Sequence, residues 1–85
     1  MAKVTIYTTP ICPYCSMAKR LLNQKGAEFE EINIMMRPGV RAEMVEKAGG
    51  RTSVPQIWIG ELHVGGSDEL HALDAQGKLD AMLAS

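Results

Sequence analysis

Val4-Thr5-Ile6-Tyr7-Thr8-Thr9-Pro10-Ile11-Cys12-Pro13-Tyr14-Cys15-Ser16-Met17-Ala18 passes from one periodicity to another. Val4 and Ile6 alternate with Thr5 and Tyr7, the period of a strand running from Lys3 to Thr8. From Pro13 to about Lys25 the apolar positions take helical spacing. Ala18, Leu21 and Leu22 mark the inward stripe, with the aliphatic stem of Lys25 continuing it. Cys12 and Cys15 are the chain's two cysteines, and they sit where strand gives way to helix. A C-x-x-C at such a junction reads as a thiol–disulfide redox pair. Cys12 falls at the helix cap, where unpaired N–H groups and the helix dipole favour negative charge. Pro13 suits the first helical position, where an N–H has no intrahelical partner. Cys15 follows one turn later on the same face. The first sulfur is therefore the nucleophile and the second resolves. Two other readings stand beside this one. A zinc half-site would need more ligands, and only His63 and His71 remain, eight apart. A structural disulfide would close a very short loop and add little stability.

The chain has 85 residues, 46% hydrophobic, with a formal net charge of −1. That length predicts one small domain, residues 1–85. The charge gives no basic field to attract nucleic acid or an anionic membrane surface. No apolar run approaches bilayer length. The first residues go straight into a strand without a signal-like apolar stretch, so a cytoplasmic location is expected. In a reducing compartment a paired cysteine is catalytic more often than structural.

Gly26 ends the first helix. Ala27 to Ile34 reads as a second strand, parallel to the first because a helix intervenes. A second helix is expected from about Gly39 to Ala48, with Val40, Met44, Val45 and Ala48 inward. Gln56 to Ile59 reads as a strand covered on both faces, since Ile57 and Ile59 oppose Trp58. Gly60-Glu61 turns the chain into an antiparallel Leu62 to Val64. Ser67 is expected to cap a further helix with Asp68 and Glu69 in its first turn, and Leu70 and Leu73 inward. A short terminal helix follows Gly77. The order predicts an α/β fold, a four-stranded mixed sheet flanked by helices. Met17, Met35, Met36, Met44 and Met82 read as core or edge fillers. His63 and His71 read as surface residues, because no acid–base partner is evident.

Three separated stretches resemble one family: Tyr7-Thr8 with Cys12-Pro13-Tyr14-Cys15, then Thr52-Ser53-Val54-Pro55-Gln56-Ile57, then Gly65-Gly66-Ser67-Asp68-Glu69-Leu70. Together they resemble the glutaredoxins, in particular the small bacterial dithiol type, across essentially the whole chain. The resemblance implies a thioredoxin-like fold, βαβαββα, and glutathione as co-substrate with no tightly bound cofactor and no metal. It implies reduction of protein disulfides and of glutathione mixed disulfides through Cys12 and Cys15. The implied partners are glutathione and disulfide-containing or glutathionylated proteins, ribonucleotide reductase among them, with the chain a monomer. Two alternatives belong to the same resemblance. One is a redoxin fed by thioredoxin reductase. The other is a module bridging an iron–sulfur cluster through Cys12 and glutathione, against which Pro13 and a usable Cys15 argue.

The resemblance also implies a glutathione site. Proline forces Val54 to be extended, which alone could mark nothing more than a strand start. The family implies a cis Val54–Pro55 bond facing Cys12, with the Val54 N–H and C=O offered to a bound peptide. Ser53 belongs to the same stretch. Gly66, Ser67 and Asp68 would meet the γ-glutamyl end, the backbone N–H groups taking its carboxylate and Asp68 its ammonium. An ordinary capped helix would use the same residues. Many family members have Cys where Ser67 stands. Most also have Lys where Thr9 stands, so another cation must meet the glycyl carboxylate. Arg41 is the expected one, ahead of Arg37, Arg51 and Lys19. Tyr14 is expected to flank the site, with its ring apolar and its tip polar.

Overall fold

The computed structural model describes residues 2–85. Its elements are β1 (Val4–Thr8), α1 (Pro13–Gln24), β2 (Phe29–Asn33), α2 (Val40–Lys47), β3 (Gln56–Ile59), β4 (Leu62–Gly65), α3 (Ser67–Ala75) and α4 (Leu79–Ala84). The strands form one sheet in the order β2-β1-β3-β4. β1 and β2 run parallel, as the α1 crossover requires. β3 runs antiparallel to β1, and β4 to β3. The mixed four-stranded sheet flanked by helices is the expected one.

Alternation along the central strands divides the core in two. Val4, Ile6, Ile57 and Ile59 join Ala18, Leu21 and Leu22 of α1, Leu70 of α3, and Leu79 and Leu83 of α4 on one face. Tyr7 and Trp58 join Val40, Met44 and Ala48 of the α2 region on the other. All four residues of β3 are buried, so this strand is covered on both faces. The edge strand β2 is more open.

α1 closes through Gly26 at φ +68. The Gly26 N–H donates to the Asn23 carbonyl and the Ala27 N–H to that of Leu22, both at 3.0 Å. This left-handed closure uses the Ala27 N–H, so β2 begins at Phe29 and is shorter than its apolar pattern suggested. Lys25 continues the inward stripe by its stem, and its ammonium reaches Asp74 at 2.6 Å and Asp80 at 2.9 Å. These pairs tie the end of α1 to α3 and α4.

Three expectations need correction. Met35 and Met36 do not fill the core; they follow β2 with 72% and 64% exposure. Met17 is also exposed, whereas Met44 is fully buried. Ser67 is not the cap of α3 but its first residue, buried behind Gly66. The capping acceptor is Glu69, whose carboxylate accepts from the Gly66 N–H at 2.6 Å. This is half of a capping box, because glycine has no side chain to return the bond. His63 is not a free surface residue: its ring stacks on Trp58 with centroids 4.7 Å apart.

Candidate active site

Cys12 is the N-cap of α1, extended at φ −154 and ψ 101, with Pro13 at the first helical position. The Cys15 N–H donates to the Cys12 sulfur at 3.1 Å. Pro13 has no N–H to leave unpaired, and the Ser16 N–H closes the first turn on the Cys12 carbonyl at 3.1 Å. Cys12 and Cys15 are joined as a disulfide with Cα atoms 5.2 Å apart. Their environments differ. Cys12 is half-buried, whereas Cys15 is 2% exposed, among the buried residues of α1. An incoming thiol or disulfide therefore reaches the Cys12 sulfur and not that of Cys15.

The second component is the segment before β3. The Val54–Pro55 peptide is cis. The Val54 carbonyl oxygen lies 3.8 Å from the Cys12 sulfur. Beside this contact is a cleft of about 150 Å³. Tyr14 forms one wall, and Ser53, Val54 and Pro55 another. Gly66, Ser67 and Asp68 form its end at the start of α3. Seven of the eight residues expected to meet the ligand thus share one cleft.

Arg41, the eighth, does not line it. Its guanidinium donates to the Thr52 carbonyl at 3.1 Å, at the back of the same loop. Arg51 and Glu69 line the cleft instead. Arg51 Nη1 donates to Glu69 Oε1 at 3.0 Å, and that oxygen also takes the Gly66 N–H. The Gly66 N–H, then Arg51, hold the Glu69 carboxyl below the usual carboxylate range. Sequence reasoning missed Glu69 as a wall of the cleft, although an acid three residues after Gly66 is a capping signature. Lys19 is engaged elsewhere, paired with Glu31 at 3.0 Å. Thr9 donates weakly to the Ile11 carbonyl and brings no charge to the site.

Behind the cleft, Gln56 is fully buried and donates to the Ser53 carbonyl at 3.0 Å. His63 Nε2 meets Gln56 Oε1 at 2.7 Å. Burial pushes the His63 pKa down, Arg51 adds to the effect, and Glu69 opposes it. Among the described residues no three His, Cys, Asp or Glu side chains gather in a way that could hold a metal.

The glutaredoxin family model matches residues 4–64. Glutaredoxin from Pseudomonas aeruginosa is 59% identical over 85 residues, the full length of both chains. Glutaredoxin 3 from Escherichia coli is 52% identical over 83 residues, 98% of this chain and 99% of that one. The solution structure of glutaredoxin from Brucella melitensis superposes with a TM-score of 0.85 at 57% identity, covering 98% of this chain and 89% of that one. A crystal structure of a buckwheat glutaredoxin–glutathione complex superposes with a TM-score of 0.89 at 29% identity, covering 98% and 77%. The fold is thioredoxin-like. A reachable sulfur at a helix start, a covered one a turn later, and kinship over the whole length lead to one conclusion: this chain belongs to the glutaredoxin family and is a thiol–disulfide oxidoreductase.

Proposed function

We propose that glutathione is the electron source, and that the chain reduces glutathione mixed disulfides and protein disulfides in the cytosol. The observation that carries this reading is the half-exposed Cys12 sulfur lying 3.8 Å from the Val54 carbonyl, beside a cleft ending at the start of α3. A tripeptide laid along Val54 as an added strand would aim its own sulfur at Cys12. Its γ-glutamyl carboxylate would meet the N–H groups at Ser67 and Asp68, and its ammonium the Asp68 carboxylate. Arg51 stands near that end, while Arg41 braces the loop from behind.

The chemistry follows from reduced Cys12. Its thiolate attacks the glutathione sulfur of a mixed disulfide, and the partner leaves as a thiolate that takes up a proton. A glutathione thiolate then attacks the Cys12–glutathione bond, releasing oxidised glutathione and restoring the Cys12 thiolate. For a protein disulfide, Cys12 forms the mixed bond with the protein. Cys15 then attacks Cys12, frees the protein dithiol and leaves Cys12–Cys15 oxidised. Two glutathione molecules return that pair to the reduced state. Disulfide-bearing or glutathionylated proteins, ribonucleotide reductase among them, are the proposed partners.

A coupled assay tests the reading. With glutathione, glutathione reductase, NADPH and a small glutathione mixed disulfide, the protein should consume NADPH with saturation in the mixed disulfide. Activity restored by thioredoxin reductase, but not by glutathione, would overturn it.

A further inference from the structure

Gln56 is a polar residue at the start of the central strand β3, with 0% exposure. Its amide is satisfied by two partners, the Ser53 stretch on one side and His63 on the other. The orientation of that amide follows from chemistry. The Ser53 carbonyl only accepts, so it must face the NH2 group of Gln56. Oε1 therefore faces His63, and His63 Nε2 must carry a proton to donate to it. The ring is fixed by its stack on Trp58, inclined 26°. One chain of bonds thus runs from β4, through the core, to the loop beside Cys12.

We infer that His63 is a positioning residue for the Val54 edge. Its Nε2–H holds Gln56 Oε1, and Gln56 Nε2 in turn holds the Ser53 carbonyl at 3.0 Å and the Ser53 hydroxyl at 3.3 Å. Ser53 directly precedes the residue whose carbonyl lies beside the Cys12 sulfur. Without the histidine donor, the buried Oε1 has no partner, and the Gln56 amide is free to turn away from Ser53. The loop then loses the bond that sets the register of the docking edge. The cysteine pair is untouched, because it rests on α1. This role deepens the glutathione reading and rests on the Val54 edge being where the peptide docks.

His63→Phe in the full chain tests it, since phenylalanine keeps a ring on Trp58 and lacks the donor. KM for a glutathionylated peptide should rise about three- to tenfold with kcat within about twofold, as expected for loss of one buried bond that acts on docking. The rate of Cys12 alkylation in the reduced protein should not change. The Gln56 side-chain amide hydrogens, held by Ser53 in the wild type, should exchange about tenfold faster by NMR. Gln56→Met should reproduce the KM change, and combining it with His63→Phe should add nothing further. His63→Gln, which keeps an N–H donor, should restore part of the wild-type KM. A fall in kcat at constant KM, additive losses in the double variant, or unchanged exchange of the Gln56 side-chain amide in His63→Phe would each overturn the assignment. Should His63→Phe fail to fold, the contrast between Gln56→Met and His63→Gln carries the same test. Should the wild type fail to saturate with the peptide, the glutathione reading falls, and exchange of the Gln56 side-chain amide in the His63 variants still decides the role of His63.

Discussion

The sulfur of Cys12 and the carbonyl oxygen of Val54 lie 3.8 Å apart, although 42 positions separate them in the chain. The strand order β2-β1-β3-β4 makes this possible. β1 and β3 are antiparallel neighbours, so the exit of β1 and the entry to β3 share one end of the sheet. Cys12 is placed by a helix cap, and the Val54 edge proposed for docking by the strand beside it.

The two cysteines should fail differently when replaced. Cys12→Ser removes the reachable sulfur, so both deglutathionylation and protein disulfide reduction should fall to background. Cys15→Ser removes a buried sulfur and should spare deglutathionylation while lowering dithiol reduction by about tenfold or more, as expected when the intramolecular attack is lost. Steady-state rates on a glutathionylated peptide and on a protein disulfide check both. Loss of both activities in Cys15→Ser, with neither lost in Cys12→Ser, would reverse the roles.

Acid should destabilise the fold in two stages. Burial depresses the folded His63 pKa, so the unfolded chain takes up its proton first and stability drops as pH falls below 6.5. Glu31 is held low chiefly by the Thr8 hydroxyl, and Glu69 by the Gly66 N–H. Their contribution is present above pH 4.5 and lost below it. At the alkaline end the sign reverses. Burial and the Glu43 carboxylate raise Tyr7 from 10.0 to about 12, so the folded state keeps a proton the unfolded chain gives up. Stability should therefore fall between those values. Urea midpoints by Trp58 fluorescence across pH check the shape; a midpoint constant from pH 7 down to pH 4 would contradict it.

Leu22 is fully buried where α1 meets the sheet. Leu22→Ala should cost about 2–5 kcal/mol of unfolding free energy, the range for a buried leucine that leaves a cavity. Urea unfolding measures it, and a loss below about 1 kcal/mol would show that the site collapses around the smaller residue.

Gly65 lies at φ +114, and a Cβ there would stand 2.5 Å from Glu69 Oε1 and 2.7 Å from Arg51 Nη1. Gly65→Ala should therefore cost about 1–3 kcal/mol through backbone strain and also part Arg51 from Glu69. The substitution should raise KM for the glutathione mixed disulfide more than it lowers kcat. Equal stability and kinetics would show the pair has no part in shaping the cleft.

The redox pair was legible because its signal is local. Cys12, Pro13 and Cys15 specify a cap, a first helical residue and a partner one turn later, with no long-range information needed. The strands were legible from alternation, and the cover on both faces of β3 from Trp58 opposing Ile57 and Ile59. Gln56 and His63 were opaque for the opposite reason. The strand pattern shows that β3 is covered, but only packing shows what satisfies the buried Gln56 amide, Ser53 on one side and His63 of β4 on the other. The choice among Arg41, Arg51 and Lys19 was likewise a question of tertiary reach, since each had the same charge in the sequence. Ser67 missed the cap by one position because a glycine before it leaves the capping to Glu69, a possibility that residue preference alone ranks lower.

The most direct test is to react the reduced Cys15→Ser protein with oxidised glutathione and weigh the product. One glutathione should be joined to Cys12, formed readily at neutral pH because the helix start favours the thiolate. Excess glutathione should release it, and Cys12→Ser under the same conditions should take up none. A Cys12 sulfur that stays free, or reacts no faster than an unstructured cysteine peptide, would contradict the account.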